Sequence, residues 1–228
     1  MNAAWKLVAT ILPAAFLAGS SLAAASPTVV EIFQSQGCSS CPPANANVMA
    51  VSERPDVLTL SFGVTYWDQL GWKDTFASPQ YTARQWDYAR AFRRTEVFTP
   101  EVVVNGRADV VGTNRAELDA LIHGQANTGG PDVRISGGIV SIGAAAPRDA
   151  DVLLVRFDPN IVQVPIARGE NGGRTLPHKN VVKALVKLGE WSGKSSTYRI
   201  PPSPNGEWRE AILVQAGLGG SILAAARD

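Results

Sequence analysis

Val29-Val30-Glu31-Ile32-Phe33-Gln34-Ser35-Gln36-Gly37-Cys38-Ser39-Ser40-Cys41-Pro42-Pro43-Ala44 is the stretch on which the reading of this chain turns. An apolar run of β-branched and aromatic residues predicts a buried strand. A polar turn follows, then the only two cysteines of the chain. Proline lacks an N–H and fits a helix only in its first turn, so Pro42 and Pro43 place a helix start at about residues 38–40. A helix N-terminus offers free N–H groups and the positive end of the dipole, both of which favour a thiolate. Two cysteines three apart at such an end put one outward and one beneath it. The spacing assigns Cys38 as attacking thiol and Cys41 as the resolving one. Gly37 leaves room for a partner's backbone.

Two other readings of the pair stand beside exchange chemistry. A Cys38–Cys41 disulfide is a structural clip in one, although closing so short a loop removes little chain entropy. In the other the pair belongs to a metal site. Zinc needs four ligands, and the remaining soft partners are His123 and His178, both remote in sequence. Two thiolates also suit copper(I), which makes a copper carrier the metal alternative. No cofactor is expected.

The first 25 residues read as a secretory signal peptide: Lys6, an apolar run over residues 7–17, then Ala23-Ala24-Ala25. Cleavage there leaves 203 of the 228 residues and an exported protein, periplasmic or secreted. Nearby cysteines in such a compartment are expected to be joined. Removing Lys6 leaves 20 basic and 20 acidic residues. That balance argues against binding nucleic acid, which rests on an excess of Lys and Arg. No later run approaches the ~20 apolar residues of a membrane span.

Strand and helix patterns alternate as far as residue 126. Strands are expected at 29–33, 57–64, 102–105 and 110–111. Helices are expected at 44–52, 79–94 and 115–123, the last with Asn114 and Glu117 as a capping box. This β-α-β-α-β-β-α order is that of a thioredoxin-like domain. From residue 131 to 228 short apolar runs alternate with Gly/Pro turns, which predicts a β-sandwich. The expected fold is therefore an α/β thioredoxin-like domain over 26–126, followed by a mainly β domain over 131–228.

Three further features bear on the thiols. Glu31 is an acid within an apolar strand; buried, it is placed to move a proton to or from Cys41, and the alternative is a solvent-facing strand edge. Tyr66, Trp67, Trp72 and Phe76 form an aromatic cluster. Either Trp67 and Trp72 make a lip that grips substrate, or the cluster is a second small core. Residues 168–174 are a Gly-rich turn that fits no phosphate loop, followed by His178 and Lys179.

The stretch over residues 30–44 resembles the signature of a bacterial family, domain-of-unknown-function family 1223. Tyr66-Trp67-Asp68, Leu70-Gly71-Trp72-Lys73-Asp74, Val97-Phe98-Thr99-Pro100, Arg168-Gly169-Glu170-Asn171 and His178-Lys179-Asn180 resemble it too. The resemblance implies a secreted thioredoxin-like protein. It also implies that Pro100 is cis and that Thr99 and Pro100 face the cysteines and present backbone to a substrate strand. Exported thiol–disulfide oxidoreductases, the wider resemblance, imply a protein or small-molecule thiol or disulfide as substrate. They usually carry the strand acid six residues before the first cysteine; here the separation from Glu31 is seven.

Overall fold

The computed structural model describes residues 26–126 and 129–228, so the expected signal peptide lies outside the described residues. The first half runs β1 (Thr28–Gln34), α1 (Cys41–Val51), β2 (Val57–Gly63), α2 (Pro79–Ala91), β3 (Glu101–Val104), β4 (Ala108–Val110) and α3 (Arg115–Gly124). Only strands follow: β5 (Val133–Ser136), β6 (Ile139–Ile142), β7 (Ala150–Asp158), β8 (Val162–Pro165), β9 (Thr175–His178), β10 (Val181–Trp191), β11 (Ser196–Arg199), β12 (Arg209–Gln215) and β13 (Ile222–Arg227).

The expected fold class needs correction. Strand accounts for 37% and helix for 18%, and the chain is mostly β. The strands of the first half do not make an α/β thioredoxin-like domain; they belong to a mixed eight-stranded sheet of order β13-β12-β7-β10-β2-β1-β3-β4. The junction is small. Val181 of β10 pairs in parallel with Ser61 of β2, and Ser61 N donates to Asn180 O at 2.9 Å. Asn180 turns the chain into this register with φ 52° and donates from Nδ2 to Thr59 Oγ1 at 2.6 Å. This pairing satisfies the edge of β2 that a sheet ending there would leave open. Strands of the second half, β7, β10, β12 and β13, continue this large sheet. A three-stranded sheet, β11-β6-β5, packs through Val140 and Ile142 on Val152, Leu154, Ile212 and Val214 of the large sheet.

Strand alternation divides the core. Val30 and Ile32 of β1 join Ala44, Val48 and Val51 of α1 and Leu118 and Ile122 of α3. Val29 and Phe33 face the other way, onto a cluster that includes Leu58, Leu60 and Phe62 of β2 and Tyr81 and Tyr88 of α2. Helix α1 therefore lies on one face of the sheet and α2 on the other.

Glu31 shares the face of Val29 and Phe33 and is fully buried. Arg84 of α2 clamps it, with Nε to Oε1 at 2.7 Å and Nη2 to Oε2 at 3.0 Å. Tyr88 also donates its hydroxyl to Glu31. Burial keeps that phenol protonated, with its pKa well above the ordinary value. From the second half, Gln215 of β12 accepts from Arg84 Nη1 at 2.9 Å and donates to Tyr88 Oη at 3.0 Å. Breaking a buried ion pair from one side costs about 3–5 kcal/mol, because it strands the other charge. Arg84→Met is expected to lose stability of that order in urea unfolding. The double variant Arg84→Met with Glu31→Met should recover part of it. A loss below about 1 kcal/mol for the single variant would show that the pair is not a determinant of the fold.

Candidate functional site

The cysteines are joined, with Cα atoms 5.4 Å apart. Cys38 closes a turn by donating its N–H to Ser35 O at 3.1 Å; Cys41 N donates to Cys38 O at 3.2 Å. Helix α1 begins at Cys41, with Ser40 as its N-cap residue and no side-chain cap. Pro42 and Pro43 occupy the first turn and remove two of the N–H groups that a helix start normally presents. Less backbone stabilisation is thus available to a thiolate than the sequence pattern implies. The Ser40 hydroxyl compensates in part, lying 3.3 Å from Cys38 Sγ.

The turn before the cysteines is pinned from a distant segment. Gln36 N donates to Asp74 Oδ2 at 2.7 Å, and Gln36 Oε1 accepts from Trp72 Nε1 at 2.9 Å and Thr75 N at 3.2 Å. Burial raises the pKa of Asp74, while the N–H groups of Gln36 and Phe76 oppose the rise.

A cap from the second half ties down the cysteine turn. Residues 168–174 form the tip of the β8–β9 hairpin, where Gly173 N donates to Ile166 O at 2.8 Å. Asn171 is fully buried and donates from Nδ2 to both Gln36 O and Cys38 O, each at 2.9 Å. Glu170 reaches Ser39, accepting from its hydroxyl at 2.6 Å and its N–H at 3.1 Å. Those two donors, the hydroxyl first, hold the Glu170 carboxyl below its ordinary pKa. Gly169 adopts φ +78°, which L side chains rarely take, and a β-carbon there would meet Trp72 Cβ at 3.4 Å. Under this cap Cys38 is 0% exposed and Cys41 1%, so neither presents an outward sulfur.

Thr99 and Pro100 do meet the cysteine turn. Their peptide bond is cis, and Ser40 Oγ lies 3.5 Å from Thr99 O. Trp67 Nε1 donates to Thr99 Oγ1 at 2.7 Å. Trp67 also stands over Gly37, where an added β-carbon would come 3.7 Å from Trp67 Cβ; Gly37 is buried rather than open to a partner. Trp72 and Phe76 pack on Val164, Ile166 and Leu176 as a small core under the hairpin. Glu31 does not join the site. It lies on the α2 face, and α1 carries Cys41 on the other, so its proposed proton exchange with Cys41 is corrected.

Sequence reasoning missed Asn171, Glu170, Gln36, Asp74 and Glu101. Glu101 directly follows Pro100, is buried, accepts from Gln85 Nε2 at 2.7 Å and lies 3.4 Å from Arg94. Its place in the apolar run 101–104 repeats the signal that singled out Glu31. Burial, with Asp109 nearby, raises its pKa to about 7. His178, 2% exposed, is held neutral by burial, with its pKa lowered to about 4. Among the described residues no group of three or more His, Cys, Asp or Glu is arranged to hold a metal ion. No helix among them is long and apolar enough to cross a membrane.

These features define a mostly β protein with a mixed sheet and a capped Cys-Ser-Ser-Cys disulfide. The chain belongs to the family described as protein of unknown function DUF1223, which it matches over residues 29–215. A crystal structure of a protein from Agrobacterium tumefaciens has 31% sequence identity to it. That match covers 90% of this chain and 94% of the other, with a TM-score of 0.75. HBP35 of Porphyromonas gingivalis shares the fold at 13% identity. Here the coverage is 90% of this chain and 75% of the other, with a TM-score of 0.63. No curated protein matches the sequence.

Asn171→Ala removes both hydrogen bonds that tie the cap to the cysteine turn. Each such loss is worth about 1 kcal/mol or more, so local opening becomes at least about tenfold more frequent. Reduction of the disulfide by dithiothreitol should accelerate by that factor with the circular dichroism unchanged; an unaltered rate would mean the cap does not limit access.

Glu101 predicts a stability signature. Its pKa is raised on folding, so the folded state keeps the proton longer. Stability falls as pH rises from its ordinary 4.5 to about 7 and stays lower above that. Glu101→Gln should match the parent near pH 4.5 and exceed it by roughly 3 kcal/mol at pH 8 in urea unfolding. A constant difference across that range would refute the assignment.

Proposed function

We propose that this is an exported thiol–disulfide exchange protein whose Cys38–Cys41 disulfide is gated by residues 168–174. The observation that carries the reading is the cap itself: a buried disulfide whose turn is held by a hairpin tip, the outermost tie of which, Glu170 to Ser39, is exposed and purely polar. A three-residue clip adds little to stability by chain entropy, so such cover suits chemistry better than cross-linking. Export rests on the pattern of residues 1–25 and on a redox-active disulfide belonging in an oxidising compartment.

In the exchange an incoming thiolate attacks Cys38 Sγ. The Cys38–Cys41 bond breaks and Cys41 leaves as a thiolate. A second thiol of the same substrate then displaces Cys38 from the mixed disulfide. The substrate dithiol becomes a disulfide, the protein takes up two electrons, and the substrate's protons pass to the released thiols or to solvent. The Ser40 hydroxyl lies close enough to donate to a Cys38 thiolate. Glu170 has the opposite effect: its negative charge beside Ser39 repels that thiolate, so reduction favours the open cap. The substrate class is a protein or small-molecule dithiol.

Complete burial of both sulfurs favours a second reading, a fixed clip in a binding protein. The reduction potential separates the two. Equilibration with glutathione or dithiothreitol, read by thiol-trapping mass spectrometry, is expected to give a value between roughly −120 and −270 mV. A value below about −300 mV would mark an inert disulfide and leave the clip.

A further inference from the structure

Gln85 of α2 is fully buried, and its side-chain amide serves three groups at once. Nε2 donates to Phe98 O and to Glu101 Oε2, each at 2.7 Å, and Oε1 accepts from the Tyr66 hydroxyl at 3.3 Å. Phe98 O can only accept, so it takes the N–H₂ end and leaves the amide oxygen to the phenol. Phe98 and Glu101 are the residues on either side of Thr99-Pro100. One amide therefore fixes both ends of the two-residue segment that meets the cysteine turn.

That segment in turn holds Ser40. Thr99 O lies 3.5 Å from Ser40 Oγ, and the same hydroxyl lies 3.3 Å from Cys38 Sγ. Ser40 has one hydrogen for these two neighbours. While the disulfide is intact its sulfur is a weak acceptor, and Thr99 O takes the hydrogen. Once Cys38 is a thiolate the sulfur is the stronger acceptor, and the hydrogen turns to it while the oxygen stays in place. A donor already aimed where charge develops needs no reorganisation.

We propose that Gln85 is a positioning residue for the exchange site: its amide clamps residues 98–101, the clamped Thr99 carbonyl holds the Ser40 hydroxyl, and Ser40 is thereby aimed at the Cys38 thiolate. This deepens the exchange reading and rests on it for its purpose.

The test is the equilibrium constant for reduction by dithiothreitol, measured at about pH 9.5, where cysteines are thiolates. Gln85→Met keeps the side chain's length and removes its donors. It is expected to lower the constant about tenfold, the worth of a hydrogen bond to a charged group, and Ser40→Ala should do the same. The double variant should stay within about twofold of Ser40→Ala alone, because the two residues act through one hydroxyl. A merely structural role for Gln85 would lower urea stability equally in both backgrounds without this non-additivity. Additive effects, or an unshifted constant in Gln85→Met, overturn the proposal. If Gln85→Met does not fold, Tyr66→Phe, which frees the amide oxygen, decides it. The constant should fall about threefold, and only while Ser40 is present; no fall overturns the proposal. The parent's absolute potential judges the exchange reading, whereas only differences among these variants judge the positioning.

Discussion

The buried pairing of Glu31 with Arg84 is the constraint around which this molecule is arranged. A carboxylate inside an apolar strand has to find its countercharge on the face to which alternation sends it. Here that face belongs to α2. Arg84 then brings five donors that need acceptors; Glu31 takes two of them, and Tyr88 and Gln215 take one each. Gln215 comes from β12, so the first half of the chain is electrostatically finished only by the second. The mixed sheet expresses the same dependence in backbone form, with β10 closing the edge of β2.

The cysteine turn repeats that logic. Its backbone carbonyls are satisfied by Asn171, its outer serine by Glu170, and its approach segment by Asp74 and Trp72. None of these partners lies within thirty residues of the cysteines. With two prolines in the first turn of α1, the helix start contributes few N–H groups. The local electrostatics are therefore set by side chains, a serine hydroxyl that favours a thiolate and a glutamate that opposes one.

Much of the local structure was legible. The strand–turn–helix at residues 28–51, the Asn114 cap of α3 and the strands after residue 131 all follow from periodicity, proline placement and turn residues, which act over a few positions. What failed was long-range. Nothing in the alternation before residue 126 indicates that its sheet continues through a strand beginning at Val181. A single pairing at Asn180-Val181 carries that information. Glu31 was misassigned for a related reason. Its burial was readable, but its role depends on parity: seven residues separate it from Cys38, and alternation puts it opposite α1. The cap was missed because a Gly-rich turn looks like solvent-exposed punctuation. Only the fold brings Asn171 onto Cys38.

The closing of the Arg84 cluster by Gln215 also bears on how the polypeptide is made. A ribosome delivers β1 and α2 long before β12. Until residue 181 emerges β2 keeps a bare edge, and until residue 215 emerges one Arg84 donor lacks its acceptor. The nascent first half thus cannot complete itself, and its burial must wait for contacts of high sequence separation, the slow kind. A chain broken off before β12 would present unfinished polar surface in its interior. That is the kind of defect by which quality-control proteases distinguish fragments from finished molecules.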